Sequence, residues 1–354
     1  MNGTAEPEVI VAREGAVGVL RLNRPKAINA ITLDMVRTIN GALDRFEADP
    51  EVALVLVEGA GERGLCAGGD IVALYDCALN GGDYGKTFWR EEYLLNARIA
   101  RFPKPYVAYM DGLVMGGGVG VSSHGSHRIV TDRTQLAMPE TGIGFFPDVG
   151  GTWLLSRAPG ELGTYFGLTG AAMNGADAIA GHFADAAILS ERWPALRAAL
   201  TGLTSRATAA HVRETIAEVA LASTPGPVAA ERARIDRLFA FDTMEEIVAA
   251  LEADGSAFAQ GALKTLARKS PTSLKVALKL LRLARGASSL EECLTREYLA
   301  SLEVIVSHEF REGVRAAVID KDRNPQWRPA RLDDVDDAIV ARYFVNRGAD
   351  ELKF

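Results

Sequence analysis

Between Val17 and Asn23 the chain alternates apolar and polar positions, the period of a half-buried strand, whereas Val52–Gly59 is the continuous apolar run of a strand buried on both faces. Between these two strands Leu33, Val36, Ile39, Leu43 and Phe46 fall on one helical face, with Thr32 placed to cap the helix and Ala48-Asp49-Pro50 to stop it. The pattern recurs further on. Tyr106–Gly112 reads as a strand, the glycine-rich run from Met115 as a turn entering a helix, and His127–Asp132 as another strand. Strand-helix alternation of this kind predicts an α/β fold with largely parallel pairing.

After about residue 200 the strand pattern fades and helix signals take over. Thr243 with Glu246 forms a capping box and Gly255 a stop; Pro271 stands inside the start of a second helix and Gly286 at its end. Leu221–Ala229, with two prolines and a glycine among small residues, is the expected joint. The expected organisation is a core over residues 1–200 carrying the site and a mainly helical region over 201–354. No sequence repeat is visible, so a solenoid is not supported.

Composition narrows the class. At 354 residues, 48% hydrophobic and 24% charged, the chain has the make-up of a globular protein able to bury a large core. Its net charge of −7 argues against a general polyanion surface, so no nucleic-acid partner is expected and an anionic ligand must be met by a local site. No apolar stretch reaches membrane length and the first residues lack a leader pattern. Cys66, Cys77 and Cys293 are an odd set without metal-type spacing, which fits a reducing compartment. The expectation is a cytoplasmic protein.

Two glycine turns follow strands and enter helices, Gly64–Asp76 and Met115–Gly120. Amides at such turns attract negative charge, and two converging from two turns make an oxyanion hole. Then comes Ala137–Gly151, in which Glu140 and Asp148 are the only charged residues among glycine, proline, small and apolar neighbours. The plain structural alternative makes Glu140 a cap or a partner of a nearby arginine, and Asp148 the cap of the helix beginning near Val149. His124 and His127 lack a third ligand, so no metal is assigned. Cys66 has no histidine matched to it as a base and reads as packing.

In order and spacing, LNRPKAINAI, LCAGGDI, DGLVMGGGVGV and MPETGIGFFPDVGG resemble the crotonase (enoyl-CoA hydratase/isomerase) superfamily. With the late segments SPTSLKVAL and FREGVRAAVIDKDRNPQWRP, the chain looks like its 3-hydroxyisobutyryl-CoA hydrolase branch. The resemblance implies a spiral of ββα turns with a helical C-terminal region, acyl-CoA thioesters as substrates, and no cofactor beyond the CoA the substrate carries. It implies a role in valine breakdown. Matched by position, the oxyanion amides fall on Gly69 and Gly117, the carbonyl of Ala67 meets the adenine, and Arg24, Lys26 and Lys321 lie near CoA phosphates. It allows a homo-oligomer, or a C-terminal region that covers its own pocket.

The family's hydratases carry two glutamates. One matches Glu140; the other position is Gly120 here, and Asp148 stands where hydratases commonly carry glycine. The resemblance therefore implies hydrolysis of a short-chain 3-hydroxyacyl-CoA, with 3-hydroxyisobutyryl-CoA the first candidate. An enoyl-CoA hydratase/isomerase and a non-catalytic acyl-CoA-binding protein are the competing readings, which Gly120, Asp148 and turnover discriminate.

Overall fold

The computed structural model describes residues 6–222, 224–345 and 352–354. Met1–Ala5, part of the segment read for a leader, and Ser223, in the expected joint, lie outside the described residues.

Among the described residues, nine strands form two sheets. β1 (Val9–Glu14), β2 (Val17–Leu22), β3 (Leu54–Gly59), β5 (Tyr106–Met110), β7 (His127–Thr131) and β9 (Ala186–Ile188) make a six-stranded sheet in that order, parallel except for the β1–β2 hairpin. The short β4 (Gly64–Cys66), β6 (Leu113–Met115) and β8 (Gln135–Ala137) make a second, parallel sheet. β3, β5 and β7 are each followed by a short strand in the other sheet, so the chain winds as a spiral of ββα turns. This is the α/β architecture expected above.

The two-faced burial of β3 explains its unbroken apolar run. Val55 and Val57 belong to the main core, while Leu54 and Leu56 face a second core with Val107, Ile129 and residues of the helices Trp193–Thr201 and Ala209–Ala217. Helix α1 (Leu33–Ala48) starts where Thr32 accepts a hydrogen bond from the amide of Met35, and buries Val36, Ile39, Leu43 and Phe46. The helices α2 (Ile71–Asn80), α3 (Tyr84–Ala100), α4 (Gly117–Ser122), α5 (Gly151–Ser156) and α6 (Leu162–Thr169) follow the successive strand pairs.

The helices after residue 200 pack onto this spiral. Pro271–Arg285, with Ser270 as its cap and Pro271 in its first turn, lies against α5 and α6; Leu290–Val304 lies against α3. Thr243 caps the helix Met244–Asp254 by accepting from the amide of Glu246, and Gly255 ends it in the left-handed conformation. No helix among the described residues is long and apolar enough to cross a membrane.

Leu56 is fully buried at the centre of the long sheet. Leu56→Ala is expected to destabilise the protein by about 2–5 kcal/mol, the usual range for a buried leucine, read as a lowered denaturant midpoint at unchanged slope.

Candidate active site

Both glycine turns open on one cavity of about 780 Å³, within the range of small-molecule sites. Ala67, Gly68 and Gly69 follow β4, and Met115, Gly116 and Gly117 follow β6; because these strands pair side by side, the turns meet face to face. A Cβ at Gly117 would stand 3.2 Å from the amide nitrogen of Gly69, so the two turns leave no room for a side chain between them. That closeness lets two main-chain amides converge on one ligand oxygen.

Glu140 opens the 3-10 turn Glu140–Ile143 directly after β8, and its Oε1 is 3.1 Å from where a Cβ on Gly116 would stand. Its carboxylate is buried, with Oε2 unpartnered. Burial pushes it well above the usual carboxylate range, and the charge of Asp148 pushes it further, while the cation of Lys269 opposes both. No arginine ion pair involves it among the described residues.

Asp148 is not a helix cap. Helix α5 begins at Gly150 with no side-chain cap, and Asp148 Oδ2 instead accepts a 2.7 Å hydrogen bond from the hydroxyl of Tyr93 on α3. Burial pushes Asp148 up to about 7, with the Tyr93 bond working in the other direction. The following turn is strained: Val149 has φ 55°, a left-handed conformation that a β-branched side chain rarely adopts. The half-buried His124 and the buried Glu297 hold it. His124 Nε2 donates to the carbonyl of Val149 at 2.8 Å, and Glu297 accepts from the amides of Gly150 at 2.7 Å and Thr152 at 3.1 Å and from the Thr152 hydroxyl. Burial pushes His124 down to about 4, so its ring is neutral and serves as a donor, and pushes Glu297 up to about 8.

A third acid, unrecognised in the sequence, completes the site. Glu92 on α3 lines the cavity, is buried, and has Oε1 unpartnered 2.8 Å from where a Cβ on Gly117 would stand. Burial raises it, and Asp148 raises it further. The signal was available: Glu92 falls on the stripe Gly85, Phe88, Trp89, Tyr93 and Asn96 that α3 buries, where an unpaired acid is out of place. Glu297 interrupts the buried stripe of its own helix, between Leu294 and Ser301, in the same way. Gly120, by contrast, is sterically closed, since a Cβ there would stand 2.8 Å from Asn96 Nδ2 and 2.9 Å from the Val149 side chain.

Of the other expected residues, Ala67 lines the cavity, and Arg24, Lys26 and Lys321 do not. The Arg24 guanidinium is taken by Glu8 at 3.1 Å, Asp70 at 3.0 Å and the carbonyl of Ala30 at 2.6 Å. Lys26 and Lys321 are exposed elsewhere. The cations that do line the cavity are Lys264, Arg268, Lys269 and Arg323, all from the C-terminal half, and Gly313, Ala316, Ala317 and Val318 of the same half form part of the wall. The chain thus closes its own pocket with its later helices. Cys66 beside the hole is fully buried, its thiol pushed up to about 12, and acts as packing. His127 bonds Ser126 and the carbonyl of Ala209, away from the cavity.

Comparison with known proteins agrees with this geometry. A 3-hydroxyisobutyryl-CoA hydrolase of Rattus norvegicus is 43% identical over 99% of this chain and 92% of its own length. A solved structure described as a carnitinyl-CoA dehydratase from Mycobacterium thermoresistibile is 47% identical and superimposes with TM-score 0.93, covering 99% of both chains. One described as an enoyl-CoA hydratase from Rhodobacter sphaeroides is 43% identical with TM-score 0.91, covering 98% of this chain and 100% of that one. The cytoplasmic expectation is corrected here, because the Rattus relative is named as mitochondrial. Net charge, cysteine count and the lack of a membrane-length segment do not distinguish one aqueous compartment from another. The enoyl-CoA hydratase/isomerase family model matches residues 17–344, and the chain belongs to that family.

Proposed function

We propose that this protein hydrolyses a short-chain 3-hydroxyacyl-CoA thioester, with 3-hydroxyisobutyryl-CoA as substrate and 3-hydroxyisobutyrate and CoA as products, a step of valine breakdown. The observation that carries the reading is the Asp148 carboxylate, buried beside Glu140 and held by Tyr93, in a site where Gly120 has no room for an acid. The name of the Rattus relative, a hydrolase of this thioester, supports the same substrate.

In this mechanism the thioester carbonyl oxygen lies against the amides of Gly69 and Gly117, which stabilise the negative charge it gains on attack. Ionised Glu140 drives that attack, either by taking a proton from water or by adding to the carbonyl itself; both routes need the carboxylate free of its proton. CoA leaves as thiolate: on the first route it takes up the proton that Glu140 drew from water, and on the second water then cleaves the Glu140 acyl anhydride, releasing the acid and restoring the carboxylate. Glu92 and Asp148 are raised by the same burial, and together they hold the proton that keeps three adjacent acids from ionising at once. Asp148 also accepts the hydroxyl of the acyl group. Lys264, Arg268 and Arg323 at the cavity wall meet the CoA phosphates, replacing Arg24, Lys26 and Lys321 in that role. Ala67 presents its carbonyl to the adenine. CoA arrives as part of the substrate, and no resident cofactor or metal takes part.

Enoyl-CoA hydration is the second reading. The observation behind it is Glu92, a second carboxylate beside the hole, together with the description of the Rhodobacter sphaeroides relative as an enoyl-CoA hydratase. A thiol-trapping dye and the loss of enoyl absorbance separate the two readings: the purified protein is expected to release CoA from 3-hydroxyisobutyryl-CoA much faster than it hydrates crotonyl-CoA. Fast hydration without thiol release overturns the proposal.

Glu140→Gln is expected to lower kcat by about 10²–10⁴-fold while leaving acyl-CoA affinity within a few fold, because shape is kept and the base is lost. Stopped-time thiol assays and binding titration measure the two.

Asp148 carries a stability signature of its own. Its folded-state value, about 7, stands above the ordinary 3.8, so the native protein binds the extra proton and stability falls as pH rises from about 4 through about 7. Asp148→Asn keeps an acceptor for Tyr93 and cannot ionise. It is expected to lose most activity yet to melt higher than wild type at pH 8, an advantage that disappears near pH 4. Equal pH dependence of Tm in both proteins argues against a buried, proton-holding Asp148.

A further inference from the structure

A cation sits against the catalytic turn without a partner. Lys269 lies between the helices Ala257–Leu266 and Pro271–Arg285, and lines the same cavity as Glu140. Its Nζ stands 3.4 Å from where a Cβ on Gly142 would be and 3.1 Å from where one on Gly170 would be, so it is wedged against the turn that begins at Glu140. It makes no ion pair or hydrogen bond through Nζ among the described residues.

Its placement is fixed by its neighbours. The amide of Ser270 donates to the carbonyl of Thr141 at 3.1 Å, joining the chain at Lys269 to the residue after Glu140. The Ser270 hydroxyl donates to Glu309, whose other oxygen accepts from the amide of Arg328 at 2.7 Å. Thr141 is itself tied to the carbonyl of Leu168 at 3.0 Å. A long, entropically costly side chain held half-buried against this turn without a partner has a charge to serve.

The geometry points to Lys269 as a positioning residue that keeps Glu140 ionised in the midst of the other acids. This rests on the reading of Glu140 as the group that drives hydrolysis. The other charges acting on Glu140 are the acids Asp148, on the same segment, and Glu297, on Leu290–Val304. Glu92 on α3 and the cations Lys264, Arg268 and Arg323 line the same cavity, and Glu309, from His308–Val314, is occupied by Ser270 and Arg328. Asp148 and Glu297 disfavour a negative Glu140, as does burial. Its own main-chain amide favours the ionised form, and Lys269 is the charged side chain that does so; the attraction is mutual, since the Glu140 charge also works to keep the Lys269 ammonium protonated. The sign follows. Removing the cation raises the pH at which Glu140 loses its proton, so the acidic limb of the kcat profile moves upward.

The test is the pH dependence of kcat and KM for thiol release from 3-hydroxyisobutyryl-CoA by wild type, Lys269→Met, Lys269→Gln and Lys269→Arg, each verified as folded by thermal unfolding. Both neutral variants are expected to move the acidic limb of kcat up by about one unit or more, the size of effect a nearby opposite charge exerts, and Lys269→Arg to restore it. Should Lys269→Met not fold, Lys269→Gln carries the same comparison. An unchanged limb with a raised KM makes Lys269 a plain anchor for the CoA phosphates and overturns the inference. Glu140→Gln is assayed alongside. If it turns over normally, the role given to Glu140 fails; if it is inactive while the limb stays fixed in the lysine variants, only the inference about Lys269 fails.

Discussion

The constraint on which the site depends is the desolvation of carboxylates. Glu92, Glu140, Asp148 and Glu297 are all buried within one neighbourhood, and each is raised above the ordinary carboxylate range by that burial. An ionised acid is expensive in such a place unless donors or a cation reach it, and neighbouring acids cannot all ionise together. The surrounding architecture is a set of answers to this difficulty. Tyr93 reaches Asp148, the amides of Gly150 and Thr152 reach Glu297, and Lys269 stands near Glu140.

Those answers come from far apart in the chain. Glu297 is separated from the turn it holds by some 145 positions, and Lys269 from Glu140 by more than a hundred. The C-terminal helices are therefore part of the site as well as its cover. They supply the acid that fixes the Asp148 turn, the cation beside Glu140, and the basic residues at the cavity wall. Strain at Val149 is consistent with this: a β-branched residue in a left-handed conformation costs about 1–3 kcal/mol and persists only where surrounding bonds dictate it, here those of His124 and Glu297. The catalytic apparatus is stabilised by the fold rather than contributing to it.

The sequence by itself determined much of this protein. The alternation at Val17–Leu22, the unbroken run of β3 and the caps at Thr32 and Thr243 specify their elements through local physics, since side-chain period and capping bonds involve only near neighbours. Glu140, Asp148 and the glycine turns were legible because an acid or a glycine cluster in an apolar setting is anomalous in one dimension. What only the tertiary structure decided is which groups meet. Glu92 and Glu297 break the apolar stripes of their helices, but only the packing of α3 and Leu290–Val304 shows which site those faces turn toward. Arg24 looked free to hold a phosphate until Glu8 and Asp70 closed on it, and nothing in the local sequence marks Lys269, which the bond from Ser270 to Thr141 brings to the Glu140 turn. The physical reason is common to all of them: period and propensity act over a few residues, whereas desolvation and Coulomb interaction depend on distances in space that the folded chain alone sets.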